Sequence, residues 1–97
     1  MNDSNRNTGV NHSETRTRGV FRIGDFAEMT YTRPSEKLMK VNHTVVDKAH
    51  RGQGLAYRLY AAMVDFARQN DRKVIPVCPF VAAMFEKYPE NSNLLAP

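Results

Sequence analysis

The residues best suited to bind a ligand form the segment RGQGLA, in which Arg51 is followed by Gly52 and Gly54. This segment stands between a β-branched run ending at Val46 and residues with the apolar spacing of a helix. The first backbone N–H groups of a helix lack carbonyl partners, and the helix dipole adds about half a positive charge there. Glycines let an anion approach the backbone, and an arginine adds a forked cationic donor. The segment therefore predicts a cradle for a diphosphate.

The spacing of this segment excludes two common phosphate-binding loops. A nucleoside-triphosphatase loop needs Lys followed by Ser or Thr after its last glycine, whereas Leu55 and Ala56 follow Gly54. The dinucleotide fingerprint needs a third glycine or an alanine where Tyr57 stands. Spacing alone leaves open a tight strand-to-helix turn with an exposed arginine.

Two further side chains have chemistry that could serve catalysis. Cys78 precedes Pro79 at the predicted start of a helix, where a thiol tends to have a lowered pKa and can act as a nucleophile or proton carrier. The alternative for Cys78 is a small buried hydrophobic residue. His43 alternates with Val41 and Val45, and an imidazole on their face could take a proton from an attacking amine. The alternative for His43 is a structural strand histidine.

Composition narrows the class of protein. The 97 residues form one domain at most, and a single cysteine excludes an internal disulfide. No Cys and His cluster has zinc spacing, so we expect no metal. No apolar run reaches about 18 residues, which predicts no membrane span and a cytoplasmic location. The net charge of +4 is spread along the chain, so an anionic small molecule explains it as well as nucleic acid does. Nucleic acid is the less favoured partner, because aromatic residues are not interleaved with a basic patch.

The elements that must position these residues follow from the hydrophobic pattern. Residues 1–17 are predicted to be a disordered tail, because they offer almost nothing to bury. Residues 18–97 are predicted to be a single domain. Alternating apolar residues predict three antiparallel strands, within 21–23, 27–31 and 38–46.

The second half of the domain contains the helices. Apolar residues at helical spacing predict a helix over 53–70. KVIPVCP predicts a strand in which Pro76 indicates an edge or a local break, and FVAAMFEKY predicts a second helix. The order β-β-β-α-β-α predicts an α/β (α+β) domain with a mostly antiparallel sheet, because a strand-helix-strand crossover favours a parallel last pair.

Arg51, Gly54 and Ala56 spell Arg-x-x-Gly-x-Ala, which resembles the coenzyme A pyrophosphate loop of the GCN5-related N-acetyltransferase superfamily. MFEKY is similar to the Tyr-Glu-Lys end of the last conserved helix of that superfamily. The segment from the His43-Thr44 strand to the Pro-x-Cys strand resembles its small, minimal branch. The resemblance covers the chain from residue 20 to about residue 90.

This resemblance implies a minimal acyl-CoA N-acyltransferase-like fold with splayed last strands, and transfer of an acetyl group from acetyl-CoA to an amine. The implied contacts to coenzyme A (CoA) come from Val45, Val46, Arg51, Gly52, Gln53, Gly54, Leu55 and Ala56. Cys78 or water would protonate the leaving thiolate, and an acetyl-Cys78 intermediate is the variant. Phe85 stands where the family's usual general acid is a tyrosine, so the alternative is a CoA-binding module with little or no transfer activity.

Overall fold

The computed structural model describes residues 9–97 as one sheet with two helices. In chain order the strands and helices are β1 (Val10–Glu14), β2 (Arg18–Ile23), β3 (Ala27–Thr32), β4 (Leu38–Val46), α1 (Leu55–Gln69), β5 (Lys73–Pro76) and α2 (Pro79–Lys87). Two 3-10 turns, Lys48–His50 and Pro89–Leu94, follow β4 and α2. The predicted helix over 53–70 is confirmed with its start two residues later.

The five strands lie in the order β1-β2-β3-β4-β5. The first four pair antiparallel, while α1 carries the chain across the sheet so that β5 pairs parallel to β4. The predicted α+β fold with a mixed sheet is therefore confirmed. Pro76 ends β5 at the edge of the sheet, where its missing N–H costs little.

The core lies between one face of the sheet and α1. Alternate strand residues such as Met29, Met39 and Val41 are fully buried there and meet Leu59 and Met63 of the helix. Each of these side chains contributes about 1.5–3 kcal/mol by leaving water. The residues between them, such as Arg22, Thr32 and Lys40, point to the opposite face and are exposed.

The prediction of a disordered tail over residues 1–17 is wrong for Val10–Glu14, which pair with β2. Residues 1–8 lie outside the described residues. Val10 is buried at one end of the strand, and polar contacts hold its other end. Glu14 accepts hydrogen bonds from Tyr31, Arg33 and Arg72, which lie far from it in the sequence. A pattern of apolar residues cannot reveal such a strand.

A β-bulge interrupts β4 at Asn42. Tyr31 pairs with Val41 and its neighbour Thr30 pairs with His43, so Asn42 has no opposite residue on β3. Because side chains alternate along a strand, one extra residue exchanges the faces of every residue that follows. Val41 therefore points into the core, whereas His43 points to the opposite face.

Beyond the bulge, β4 and β5 separate. Their pairing runs from Leu38 with Lys73 to Val41 with Pro76. The carbonyl of Val41 accepts hydrogen bonds from the backbone N–H groups of Val77 and Cys78, at 3.1 and 2.9 Å, and the chain then turns into α2. The last residues of β4 thus pair with β3 but no longer with β5, as the predicted splay requires. Within residues 9–97 no helix is long and apolar enough to cross a membrane, and no group of three potential metal ligands occurs.

Candidate functional site

The splay leaves an open backbone edge at the end of β4. The N–H of Asp47 donates to the carbonyl of Phe26 on β3. Because hydrogen bonding alternates along an antiparallel pair, Val45 also directs its backbone groups to β3. Thr44 and Val46 direct theirs to the other side, where β5 has ended. Thr44, and not Val45 as predicted, therefore directs its backbone groups to the open edge together with Val46. The side chain of Val45 lies on the opposite face, and this residue is 56% exposed.

The connection from β4 to α1 ends in two glycines with left-handed backbone. Gly52 has φ of 84° and Gly54, the N-cap residue of α1, has φ of 76°. A Cβ added to either glycine would meet no atom within 4 Å, so the backbone is open to a ligand. The first intrahelical bond of α1 runs from Arg58 N–H to Gly54 C=O. The N–H groups of Leu55, Ala56 and Tyr57 precede it and remain available.

Arg51 links this loop to the open edge. Its Nε donates to the carbonyl of Val46 at 3.3 Å, and the side chain is exposed. Arg51 lines the same cleft as Gly54 and Leu55 at the start of α1. The positive charge of the guanidinium therefore adds to that of the helix terminus.

These parts enclose a cleft of about 340 Å³. It is lined by Thr44, Val46, His50, Arg51, Gly52, Gly54, Leu55, Ala56, Tyr57 and Phe80. The structure thus brings together all of the sequence-predicted contacts except Val45 and Gln53, which does not line the cleft. It adds Thr44, His50, Tyr57 and Phe80, which the motif does not include.

Comparison with known proteins identifies the family. The sequence profile of the GCN5-related N-acetyl-transferase family matches residues 20–94. The chain belongs to this family. Protein NATD1 of Homo sapiens is 28% identical over 83 residues, which cover 82% of this chain and 74% of that protein. For Protein NATD1 of Gallus gallus the identity is also 28% over 83 residues, covering 82% and 76%.

A solved structure agrees with this family assignment. The NMR solution structure of a GCN5-like protein from Staphylococcus aureus superposes with a TM-score of 0.67 at 25% identity, covering 92% of this chain and 90% of that one. Both the predicted family and the predicted fold are confirmed. The cleft therefore lies in a GCN5-related N-acetyltransferase domain.

Cys78 does not itself line the cleft of this GCN5-related domain, but it contacts Thr44, which does. It is the N-cap residue of α2, its side chain is 5% exposed, and its Sγ donates to the hydroxyl of Thr44 at 3.4 Å. The contact joins the end of β5 to the open edge of β4. A buried thiol in this position is shielded from bulk solvent but lies beside the backbone groups that face the cleft.

His43 is separated from Cys78 by the sheet. The bulge at Asn42 places its ring on the exposed face, in a groove with Thr30 and Val20. The expectation that His43 shares a face with Val41 is therefore wrong, and the two predicted catalytic residues do not come together. The alternation of Val41, His43 and Val45 misleads because it assumes a regular strand.

The tyrosines near the cleft do not stand at the position of Phe85, where the usual general acid of the family is a tyrosine. Phe85 is buried on α2 and packs edge to face on Tyr60, with ring centroids 5.5 Å apart. Tyr60 is itself buried, and its hydroxyl accepts from Asn91 at 3.1 Å. Burial raises the pKa of Tyr60 above its ordinary value, while the hydrogen bond from Asn91 opposes that shift. Tyr57 is the phenol that lines the cleft, with 47% of its surface exposed.

Proposed function

We propose that this chain binds acetyl-CoA in the cleft and transfers the acetyl group to an amine. The observation that carries the proposal is the continuous path from the open edge at Thr44 and Val46 to the glycine loop at the start of α1. The open edge offers N–H and C=O groups to an extended chain with amide bonds. The loop offers backbone N–H groups and the Arg51 guanidinium to a diphosphate. The space around Gly52 and Gly54 fits that group.

Acetyl-CoA supplies a thioester that an amine can attack directly. A backbone N–H of the open edge, at Thr44 or Val46, can stabilise the negative charge that develops on the thioester oxygen. The Cys78 thiol, or a water in the cleft, can then give a proton to the leaving thiolate, and the proton lost by the amine nitrogen restores that donor. His43 receives no role in this proposal, because it lies on the other face of the sheet. A cytoplasmic location stays a prediction.

Ligand binding is the first test. In a thermal melt, CoA at about a hundred times its dissociation constant adds about 2.7 kcal/mol and raises the melting temperature by about 10 °C or more. We expect this shift with CoA and acetyl-CoA but not with ATP, and a smaller shift for Arg51→Ala. Lys40→Ala serves as the control, because it removes one positive charge from the opposite face. No shift with any CoA species would contradict the proposal.

Intact mass after incubation with acetyl-CoA tests the role of Cys78. An added acetyl group that disappears in Cys78→Ala would establish the covalent variant. Transfer to a panel of amines without an adduct would support direct attack. If Cys78→Ala then retains full activity, the proton comes from water.

A CoA-binding module without transfer activity is the second candidate function. It is favoured by Phe85, an apolar buried side chain where the family's usual general acid is a tyrosine. This candidate predicts the same thermal shift, no adduct and no acetylated amine.

A further inference from the structure

His50 is fixed in the wall of the cleft by contacts on two sides. Its Nδ1 lies 3.0 Å from Oδ2 of Asp47. Its ring stacks on Phe26, with centroids 4.0 Å apart and planes inclined by 23°. The same residue lines the cleft beside Arg51 and Gly52. Because Nδ1 faces Asp47, Nε2 is the ring nitrogen left for a ligand.

The turn between β2 and β3 is built to present Phe26 to this histidine. Gly24 has φ of 50°, and a Cβ there would come within 2.9 Å of Phe26 Cε2. The backbone of Phe26 is held at both groups, by Ile23 C=O and by the N–H of Asp47. Its ring remains 41% exposed and covers the imidazole instead of entering the core. Gly24, Phe26 and Asp47 thus fix the imidazole from two neighbouring connections.

This arrangement suits a hydrogen bond to an anion. A carboxylate on Nδ1 orients an imidazole and leaves Nε2 directed at a partner. The hydrogen bond from His50 lowers the pKa of Asp47, so its carboxylate stays charged. In the imidazolium form Nε2–H is a charged donor, held between Asp47 and the cleft. A side chain already fixed by two contacts also loses less conformational entropy when a ligand binds.

The position of His50 decides between an acid–base role and a binding role. The Cys78 thiol contacts Thr44 on the β4 wall of the cleft, whereas His50 lies beside Arg51 and the glycine loop. The loop end is where the available N–H groups of α1 attract negative charge. His50 is therefore placed for a phosphate.

We propose that His50 in its imidazolium form donates a hydrogen bond from Nε2 to a phosphate group of CoA, and that Asp47 and Phe26 are positioning residues for it. This inference rests on the proposed CoA-binding function. It adds to the Arg-x-x-Gly-x-Ala loop a side-chain donor that this pattern does not contain. Two sources of the phosphate exist within CoA, the pyrophosphate bridge and the 3′-phosphate of the ribose.

Titration calorimetry of the full chain with CoA and with dephospho-CoA, which lacks the 3′-phosphate, tests the proposal. His50→Ala should weaken CoA binding about tenfold, as expected for one charge-assisted hydrogen bond. Asp47→Asn and Phe26→Leu should each weaken it about threefold, because the imidazole remains but is less well oriented. His50→Gln, which keeps a donor, should recover part of the loss. Lys40→Ala on the opposite face should bind as the wild type does.

Dephospho-CoA distinguishes the two phosphates. A tenfold loss for His50→Ala with both ligands assigns the contact to the pyrophosphate, and a loss seen only with CoA assigns it to the 3′-phosphate. Either result supports the proposal.

Three results separate failure of this inference from failure of the proposed function. An unchanged affinity of His50→Ala together with a weakened Arg51→Ala would overturn the inference and leave CoA binding intact. If ligand-free His50→Ala melts at a lower temperature but binds CoA with unchanged affinity, the contacts of His50 only stabilise the fold, and the inference is overturned as well. If the wild-type chain binds no CoA, the proposed function fails and the inference fails with it.

Discussion

The carboxylate of Glu14 is expected to be a main determinant of stability, although it lies in a segment that reads as a polar tail. It accepts four hydrogen bonds: one from Tyr31 Oη at 2.6 Å, one from Arg33 Nη1 at 3.1 Å and two from the Nη groups of Arg72. The side chain of Glu14 is 18% exposed, and those of Arg33 and Arg72 are 11% exposed. Glu14→Ala therefore leaves two largely buried guanidinium groups without a carboxylate partner, although Arg33 still donates to the carbonyls of Thr15 and Glu36.

The size of the loss follows from this burial. Removing one partner of a buried ion pair costs about 3–5 kcal/mol. Because water still reaches part of the Glu14 site, we expect the lower value of about 3 kcal/mol. The free energy of unfolding of a domain this size is about 5–15 kcal/mol, so the loss is a large fraction of the total. It corresponds to a fall in melting temperature of about 15 °C.

Urea unfolding followed by circular dichroism measures this effect. Glu14→Gln keeps the shape and one acceptor oxygen, and it should fall between Glu14→Ala and the wild type. Ser13→Ala, on the same strand with an exposed side chain, is the matched control and should stay within about 0.5 kcal/mol of the wild type. If Glu14→Ala is as stable as Ser13→Ala, the reasoning that polar contacts hold β1 is refuted.

Three further predictions follow from the same contacts and from the loop. A chain that begins at residue 18 lacks β1 and should melt at a lower temperature than Glu14→Ala. Burial opposes ionisation of Glu14, but hydrogen bonds from Arg72 and Tyr31 and the nearby arginine charges outweigh it, so its pKa lies below 4.5. Its stabilisation should be present above pH 4.5 and disappear as the pH falls through the folded pKa, and urea midpoints of the wild type and Glu14→Gln should converge in acid. Gly54→Ala should cost about 1 kcal/mol from left-handed backbone alone, without a clash, as urea unfolding of the ligand-free chain would show.

Most helices and strands could be predicted from the sequence, because the hydrophobic pattern that indicates each of them lies within one short segment. The apolar spacing of α1, with Leu59 and Met63 on one face, lies within a single segment. The helix starts later than predicted because Gly54 adopts a left-handed conformation that ends the loop. The loop could be predicted for a similar reason, because Arg51 and the two glycines lie within one short segment and their spacing indicates a diphosphate site.

The features that the sequence did not reveal depend on partners far along the chain. β1 is fixed by Glu14, whose partner Arg72 is 58 residues away. His12 of the same strand stacks on Phe21 and also meets Phe66, far along the chain on α1, edge to face. Strand alternation places His43 on the face of Val41, but the bulge at Asn42 turns it to the face opposite Cys78. The Asp47–His50 contact is local, but nothing in the sequence places Phe26 over it.

The bulge at Asn42 makes the pairing of β4 with β3 a functional constraint. If the full strand paired regularly, with Asn42 opposite Thr30, then Thr44 and Val46 would exchange faces with His43 and Val45. The backbone groups of the open edge would then turn toward β3, and the Thr44 hydroxyl would leave Cys78. Deleting Asn42 avoids this exchange, because His43 would follow Val41 directly and keep Thr30 as its partner. The cleft should therefore depend on the pairing of Thr44 with Met29 and not on the side chain at position 42.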